Sequence, residues 1–157
     1  MVRLGDDHVF PSPRSANRHG VVAYGGDLHP NRIIEAYKNG IFPWFESDDN
    51  LMWWSPDPRM ILYPNKIKIS KSLNSFIKKT PLKITFNKDF EEVIESCSNI
   101  KRLGQKGTWI TKGLKESFIK LHEKGLAISV EVWENSQILC GLYGLDLCDI
   151  FCVESMF

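Results

Sequence analysis

The chain has 157 residues, of which 43% are hydrophobic and 25% are charged, and its formal net charge is +1. This composition is typical of a soluble globular protein of one domain, with or without a small appendage, and excludes a disordered or fibrous chain. The sequence has no apolar run long enough to span a bilayer, and its first residues lack the apolar core of a signal peptide, which together predict a cytoplasmic protein without a membrane partner.

The first third of the chain is predicted to be rich in loops, with one helix. Gly25, Gly26 and Asp27 are typical of a turn. Pro30 then stands where a first helical residue is favoured, apolar residues follow at helical spacing, and Gly40 ends the helix.

The segment 42–59 combines tryptophan with proline and is the most unusual part of the sequence. Trp44, Trp53 and Trp54 are three of the five tryptophans. Proline fixes φ and removes a backbone donor, so we expect these indoles to be carried on a stiff, largely non-regular backbone. Two interpretations remain open: the indoles fill a small core, or they form a platform on which a ring such as a nucleobase stacks.

Regular structure is predicted from about residue 63 onward. A helix is expected at 72–79, with Leu73, Phe76 and Ile77 facing inward, and a strand at 82–86. The next two helices begin at a cap, Asn87 or Asp89 for one and Thr111 for the other. Their inward residues are expected to be Phe90, Val93, Ile94 and Cys97 in the first, and Leu114, Phe118 and Leu121 in the second, which ends at Gly125.

Three strands, at 127–133, 138–145 and 149–154, are expected to form an antiparallel meander because short polar connections join them. The order strand, helix, helix and three strands predicts an α+β fold with a mainly antiparallel sheet. We expect a small N-terminal domain at 1–62 and a second domain at 63–157. The chain ends at Phe157, directly after an apolar strand, which is typical of an interrupted domain.

The charge is unevenly distributed. Between Pro58 and Lys88 there are eight basic residues and no acidic ones. Such a block is either a solvated lysine face or a patch that binds a polyanion such as nucleic acid. The four cysteines include no C-x-x-C pair, and no histidine stands at zinc-ligand spacing, so we expect reduced thiols and no metal.

Nine short motifs, in order along nearly the whole chain, resemble the bacterial leucyl/phenylalanyl-tRNA–protein transferases. They are FPSP (10–13), GGDLHP (25–30), AYKNGIFPWF (36–45), WWSPDPR (53–59), GTWIT (107–111), LHEKG (121–125), SVEVW (129–133), LYG (142–144) and ESMF (154–157). The resemblance implies that residues 63–157 are similar to the GNAT-type N-acetyltransferases. Family members continue past ESMF and carry an Asp-Cys-Gln segment thought to take part in catalysis, so the remaining catalytic residues are expected in that segment.

The resemblance implies an aminoacyltransferase that moves Leu or Phe, and Met less well, from aminoacyl-tRNA to proteins whose N-terminal residue is Arg or Lys. The product is a degradation signal. The aminoacyl ester is already activated, so no cofactor is expected. The protein has to position the amine and the ester and to stabilise the oxyanion.

Site residues follow partly from this resemblance and partly from their own chemistry. Glu154, after an apolar run, is the candidate for binding and orienting the acceptor, and a structural ion pair with a Lys or Arg is the alternative. Glu131 alternates with valines and is expected to be exposed.

The terminal adenosine of tRNA is expected against Trp44 and Trp109, with Tyr37 as a lesser neighbour. The amino-acid pocket is assigned to Leu142, Phe151, Val153 and Met156, and the phosphate contacts to Lys66, Lys68, Lys71, Lys78, Lys79 and Lys83.

Two other functions remain open. One is an inactive remnant that at most binds the 3′ end of aminoacyl-tRNA. The other is an RNA- or carbohydrate-binding module built on the tryptophan segment, against which the ordered motifs argue.

Overall fold

Helices and antiparallel strands occur together, which confirms the predicted α+β class. The computed structural model describes residues 1–101, 104 and 107–157. In these residues the helices are α1 (Pro30–Lys38), α2 (Lys71–Lys79), α3 (Phe90–Asn99) and α4 (Lys112–Glu123). The strands are β1 (Val2–Leu4), β2 (Val21–Gly25), β3 (Phe42–Pro43), β4 (Met52–Trp54), β5 (Lys83–Phe86), β6 (Ala127–Glu134), β7 (Gln137–Asp146) and β8 (Phe151–Met156). Two 3-10 turns lie at Pro13–Ser15 and Pro64–Lys66.

The N-terminal part contains a four-stranded sheet in the order β1-β2-β4-β3, which the sequence analysis did not predict. β1 and β2 are parallel, and β2, β4 and β3 pair antiparallel. The tryptophan segment therefore contains a short β-hairpin. Most of 42–59 is non-regular, as expected, but Trp53 and Trp54 lie on the strand β4. Pro43 is compatible with β3 because that strand lies at the sheet edge, where a missing N–H costs no ladder bond.

The second sheet is the predicted meander, in the order β5-β6-β7-β8 with every pair antiparallel. α3 and α4 contact this sheet. Their predicted caps are confirmed for Asp89, whose carboxylate accepts from the Glu92 N–H at 3.4 Å, and for Thr111, whose hydroxyl accepts from the Leu114 N–H at 3.3 Å. The residues predicted to face inward from α3 and α4 are all buried.

α2 differs from α3 and α4. It forms where predicted, and the Ser70 hydroxyl caps it by accepting from the Leu73 N–H at 3.1 Å. However, Leu73, Phe76 and Ile77 are 48%, 54% and 56% exposed, so the prediction that they face inward was wrong. Helical periodicity indicates an apolar face but not whether another element covers it.

Most of the buried apolar side chains of both halves belong to one cluster, which runs from Leu4 and Trp53 through α1, α3 and α4 to Leu145. α1 contacts α4, so the two sheets share this core. The domain boundary at residue 62 and the likeness of 63–157 to GNAT-type enzymes stay predictions. None of the described helices is both long and apolar enough to cross a membrane.

Candidate active site

Glu154 lies at a β-bulge in β8. Ser155 and Val153 lie opposite neighbouring residues of β7, which leaves Glu154 as the extra residue between them. The residue opposite Val153 is Gly144, where a Cβ would stand 2.1 Å from the carbonyl oxygen of Cys152, so only glycine permits this close approach. Bulges redirect side chains and are frequent beside active sites.

The carboxyl group of Glu154 lies near the Tyr37 hydroxyl, in surroundings that shift its pKa. Burial raises its pKa to about 7, while the nearby Tyr37 hydroxyl and, at longer range, the Arg59 guanidinium act in the opposite direction. The Tyr37 hydroxyl is close to Glu154 but is not in hydrogen-bonding geometry with it. Among the described residues, Glu154 forms no ion pair within 4.0 Å. The alternative of a structural ion pair therefore finds no support here.

Tyr37 and Cys152 complete this cluster, which lies between α1 and β8. Burial, followed by the charge of Glu154, raises the pKa of the Tyr37 hydroxyl well above its usual value. The same two causes raise the pKa of the Cys152 thiol. Tyr37 and Cys152 thus stay protonated near neutral pH, and Glu154 is the member that gains or loses a proton there.

Arg59 is held at the edge of this cluster by the tryptophan hairpin. Its guanidinium lies over the Phe42 ring, 4.6 Å from the centroid, and donates to the Gly40 carbonyl at 3.5 Å. A fixed cation favours the ionised form of a nearby carboxyl. No local sequence pattern marks Arg59 as a site residue, because its interaction with Glu154 joins residues far apart in the chain.

The three indoles of the hairpin have different environments. Trp53 is fully buried and donates from Nε1 to the Gly25 carbonyl at 2.9 Å. Trp44 is 51% exposed, and its carbonyl accepts from Nε1 of Trp54 at 2.7 Å. The Trp44 and Trp54 rings lie 5.3 Å apart between centroids, tilted by 60°. Core packing therefore describes Trp53, whereas Trp44 is available to a ligand ring.

The other two residues predicted to contact adenosine are less exposed. Trp109 is half-buried and packs against the core just before α4. Tyr37 is 7% exposed, and its hydroxyl lies near Glu154. The structure thus brings Tyr37 to the predicted acceptor-binding residue.

The four residues assigned to the amino-acid pocket share one face of the β7–β8 pair. Leu142 lies opposite Met156, and Gly144 lies opposite Val153. Phe151 lies opposite Asp146, two residues further along β7, and so points to the same side. Leu142 is half-buried and the other three side chains are exposed.

The six lysines assigned to phosphate are all exposed. None of them forms an ion pair with a described residue. Lys66 lies over the Tyr63 ring, 4.9 Å from its centroid. These ammonium groups are therefore open to a polyanion. The six are Lys66, Lys68, Lys71, Lys78, Lys79 and Lys83.

Glu131 is fully buried, so the expectation that it is exposed was wrong. Its carboxylate accepts from the Thr85 hydroxyl at 2.5 Å, from the Ser129 hydroxyl at 2.6 Å and from the Asp89 N–H at 3.5 Å. The alternation along β6 was correct, but the helix-covered face carries Glu131 and the opposite face carries the valines. Three donors make burial of this carboxylate possible.

A separate depression of about 550 Å³ lies near His8, Asn31 and Leu126. It includes none of the predicted site residues. The cluster around Glu154 is therefore identified by its chemistry, not by this depression.

Comparison with known proteins decides the family. Residues 61–157 match the sequence model of the leucyl/phenylalanyl-tRNA protein transferase, and residues 26–57 match that of its N-terminal domain. The chain belongs to this family. The enzyme class that the motifs implied, an aminoacyltransferase, is thereby confirmed.

Curated leucyl/phenylalanyl-tRNA–protein transferases resemble the chain along its whole length. The protein of Christiangramia forsetii is 49% identical over 159 residues, which cover 100% of this chain and 75% of the relative. That of Flavobacterium psychrophilum is 51% identical over 154 residues, covering 98% of this chain and 73% of the relative. That of Flavobacterium johnsoniae is 49% identical, covering 100% and 74%. The chain thus spans about three quarters of the length of these family members.

Proposed function

We propose that this protein transfers Leu or Phe, and less readily Met, from aminoacyl-tRNA to the N-terminal Arg or Lys of acceptor proteins, creating a degradation signal. In this reaction the α-amine of the acceptor attacks the ester carbonyl. The new peptide bond forms, the 3′ hydroxyl of the tRNA leaves, and the amine gives up a proton. Membership of the transferase family supports the reaction class.

The observation that carries the acceptor assignment is a partly buried carboxyl, Glu154, without an ion-pair partner among the described residues. A cationic Arg or Lys side chain of the acceptor would supply that partner. The cation would favour the ionised carboxylate and lower the pKa of Glu154 from about 7. A charge-assisted hydrogen bond of this kind contributes about 1.5–3 kcal/mol, or roughly a 10- to 100-fold preference for a charged acceptor.

The test of this assignment compares two acceptor peptides that differ only at their first residue, Arg in one and its neutral isostere citrulline in the other. Transfer of labelled Leu from charged tRNA should favour the Arg peptide at least tenfold in kcat/KM. Glu154→Gln should remove the preference, and Glu134→Gln is the exposed control. A variant Glu154→Gln that keeps the full preference would remove Glu154 from acceptor recognition.

pH provides a second readout of the same step. Because the pKa of Glu154 lies at about 7 in the free protein, the carboxylate is populated only as pH rises through that value. The ratio of kcat/KM for the Arg and citrulline peptides should therefore increase from pH 6 to pH 8. The α-amine is common to both peptides and cancels in the ratio. A ratio that does not change with pH contradicts the role.

For the donor, we propose that Trp44 and Trp109 hold the terminal adenosine by stacking, with Tyr37 linking that site to Glu154. Stacking on an aromatic ring contributes about 1–3 kcal/mol per base and tolerates any base. Trp44→Ala should therefore weaken binding of Leu-tRNA and Phe-tRNA equally. Unequal loss would indicate that Trp44 contacts the amino acid instead.

The face that carries Leu142, Phe151, Val153 and Met156 is proposed to bind the amino-acid side chain. Pocket shape discriminates between apolar side chains by only about 1–3 kcal/mol, so acceptance of both Leu and Phe is expected. The exposed lysines are proposed to contact phosphates, which makes donor binding weaken steeply as salt rises.

Binding of the aminoacyl-tRNA 3′ end without transfer is the second candidate. It is supported by the exposed indole of Trp44 and by the six exposed lysines, which can bind the tRNA end whether or not transfer follows. Tight binding of Leu-tRNA combined with no transfer to the Arg peptide would favour this candidate over the first.

A further inference from the structure

The loop of the tryptophan hairpin is attached to the start of α4 through Asp48. One carboxylate oxygen of Asp48 accepts from the Gly113 N–H at 3.0 Å. The other accepts a short hydrogen bond from the Thr111 hydroxyl. These contacts join positions 63 and 65 residues apart, so they fix the loop to a distant part of the chain.

The geometry of this attachment is that of a shared helix cap. The first N–H groups of a helix have no intrahelical acceptor, and an anion near them is favoured by the helix dipole. The Thr111 hydroxyl accepts a hydrogen bond from the Leu114 N–H, and the Asp48 carboxylate accepts one from the Gly113 N–H. At Gly113 a Cβ would stand 2.9 Å from a carboxylate oxygen of Asp48, so the absence of a side chain there permits the contact.

Both indoles of the proposed adenosine site lie close in sequence to this attachment. Trp44 precedes Asp48 by four residues and Trp109 precedes Thr111 by two. The loop is also anchored at its ends, because Phe45 is buried in the core and the Trp44 N–H donates to the Met52 carbonyl at 3.0 Å. The Asp48 contact is therefore a hydrogen-bonded connection between the loop that follows Trp44 and the segment that carries Trp109.

We propose that Asp48 is a positioning residue for the 3′-adenosine site. Its carboxylate holds the hairpin loop against the start of α4, which fixes Trp44 relative to Trp109 before the tRNA end arrives. This inference rests on the proposed function of the two indoles. It assigns to Asp48 no contact with the nucleotide itself.

Asp49 offers a matched control. It is the next residue in the same loop, it is exposed, and no side-chain hydrogen bond or ion pair is seen for it among the described residues. Asp48→Ala and Asp49→Ala each remove one negative charge near the proposed tRNA site. The gain in tRNA affinity from losing a negative charge is therefore the same in both variants. The difference between their Kd values measures the effect of the Asp48 hydrogen bonds on tRNA binding.

The experiment measures the Kd of Leu-tRNA for wild type, Asp48→Ala, Asp49→Ala and Trp44→Ala, together with the acceptor KM. We expect Asp48→Ala to bind the donor about fivefold more weakly than Asp49→Ala, as for loss of a helix cap, with the acceptor KM unchanged. Equal affinities of these two variants overturn the proposal. If Trp44→Ala does not weaken binding either, the adenosine site itself is wrong, which distinguishes the two failures.

The variant Gly113→Ala distinguishes a role of Asp48 in positioning the indoles from a role in the stability of the protein. Alanine favours helix, but its Cβ would displace the Asp48 carboxylate. We expect Gly113→Ala to weaken Leu-tRNA binding severalfold while the Tm stays equal or rises. A lower Tm with unchanged Kd would assign Asp48 a structural role only and overturn the proposal. This variant also tests the proposal if Asp48→Ala does not fold.

Discussion

The two faces of the β5–β8 sheet are built from similar apolar residues but have different surroundings. On one face, Tyr143 and Leu145 are fully buried beneath α3 and α4. On the other, Phe86 and Val153 are 67% and 48% exposed. The sequence pattern of β7 and β8 is apolar on both faces, so it does not distinguish them.

This difference teaches that alternation predicts which residues share a face, whereas burial depends on what packs against that face. Glu131 lies on the buried face and satisfies its carboxylate with three donors. The proposed amino-acid pocket lies on the open face. Stability should therefore be concentrated on the first face and ligand recognition on the second, and each of the following predictions tests this division.

The largest loss of unfolding free energy is expected from Phe118→Ala. Phe118 is fully buried, and its ring meets that of Tyr143 edge to face at 5.3 Å. Removing a buried phenylalanine leaves a cavity and costs about 3–5 kcal/mol of unfolding free energy. Urea denaturation measures this loss. A cost below about 1 kcal/mol would mean that α4 is not held by this face.

The pH dependence of the unfolding free energy should include a contribution from the titration of Glu154. Its pKa is raised from 4.5 to about 7 on folding, so the folded state binds more protons than the unfolded state between these values. The stabilising contribution is therefore complete below pH 4.5 and is lost as pH rises through about 7, by roughly 3 kcal/mol. Asp27 and Glu95, whose pKa values are lowered, act only at lower pH.

The measurement is the unfolding free energy from pH 4.5 to pH 8 in wild type and Glu154→Gln. The difference between the two proteins isolates Glu154 from every other titrating group. We expect the wild type to lose stability relative to the variant across this window. Parallel curves would show that the carboxyl of Glu154 titrates at the same pH in both the folded and unfolded states.

Local signals explain what could be predicted from the sequence. The caps Asp89 and Thr111, the end of α4 near Gly125 and the meander each depend on neighbouring residues, and they occur where expected. The short strands β1, β3 and β4 lack such a signal. They have two or three residues each and are stabilised by pairing with distant segments.

Long-range contacts explain why the candidate site was only partly predicted. The motifs contain Glu154, Trp44 and Tyr37. However, Tyr37 and Glu154 are 117 positions apart in the chain and come close only in the folded protein. The bulge at Glu154 depends on the close approach of β8 to Gly144. Neither the bulge nor the Asp48 contact leaves a periodic pattern in the sequence.

A smaller effect is expected from Glu131→Gln. The substitution keeps the shape of the side chain but replaces one acceptor oxygen with an NH2 group, which meets the hydroxyl or N–H donors around Glu131. Leaving buried donors unsatisfied costs about 1–3 kcal/mol. Glu134→Gln, at the exposed end of β6, is the control and should cost less than about 0.5 kcal/mol. Equal costs in urea denaturation would contradict the division between the faces.

The smallest effect on stability is expected from Phe86→Ala, on the open face. The ring of Phe86 is largely exposed, so its removal leaves little cavity and should cost less than about 1 kcal/mol, although phenylalanine is the same residue type as in Phe118→Ala. The unfolding free energies of the two variants, measured side by side, give the contrast directly. A cost for Phe86→Ala that approached that for Phe118→Ala would mean that the open face is covered in solution. The division between a stabilising face and a recognition face would then be wrong, because the proposed amino-acid pocket lies on that same surface.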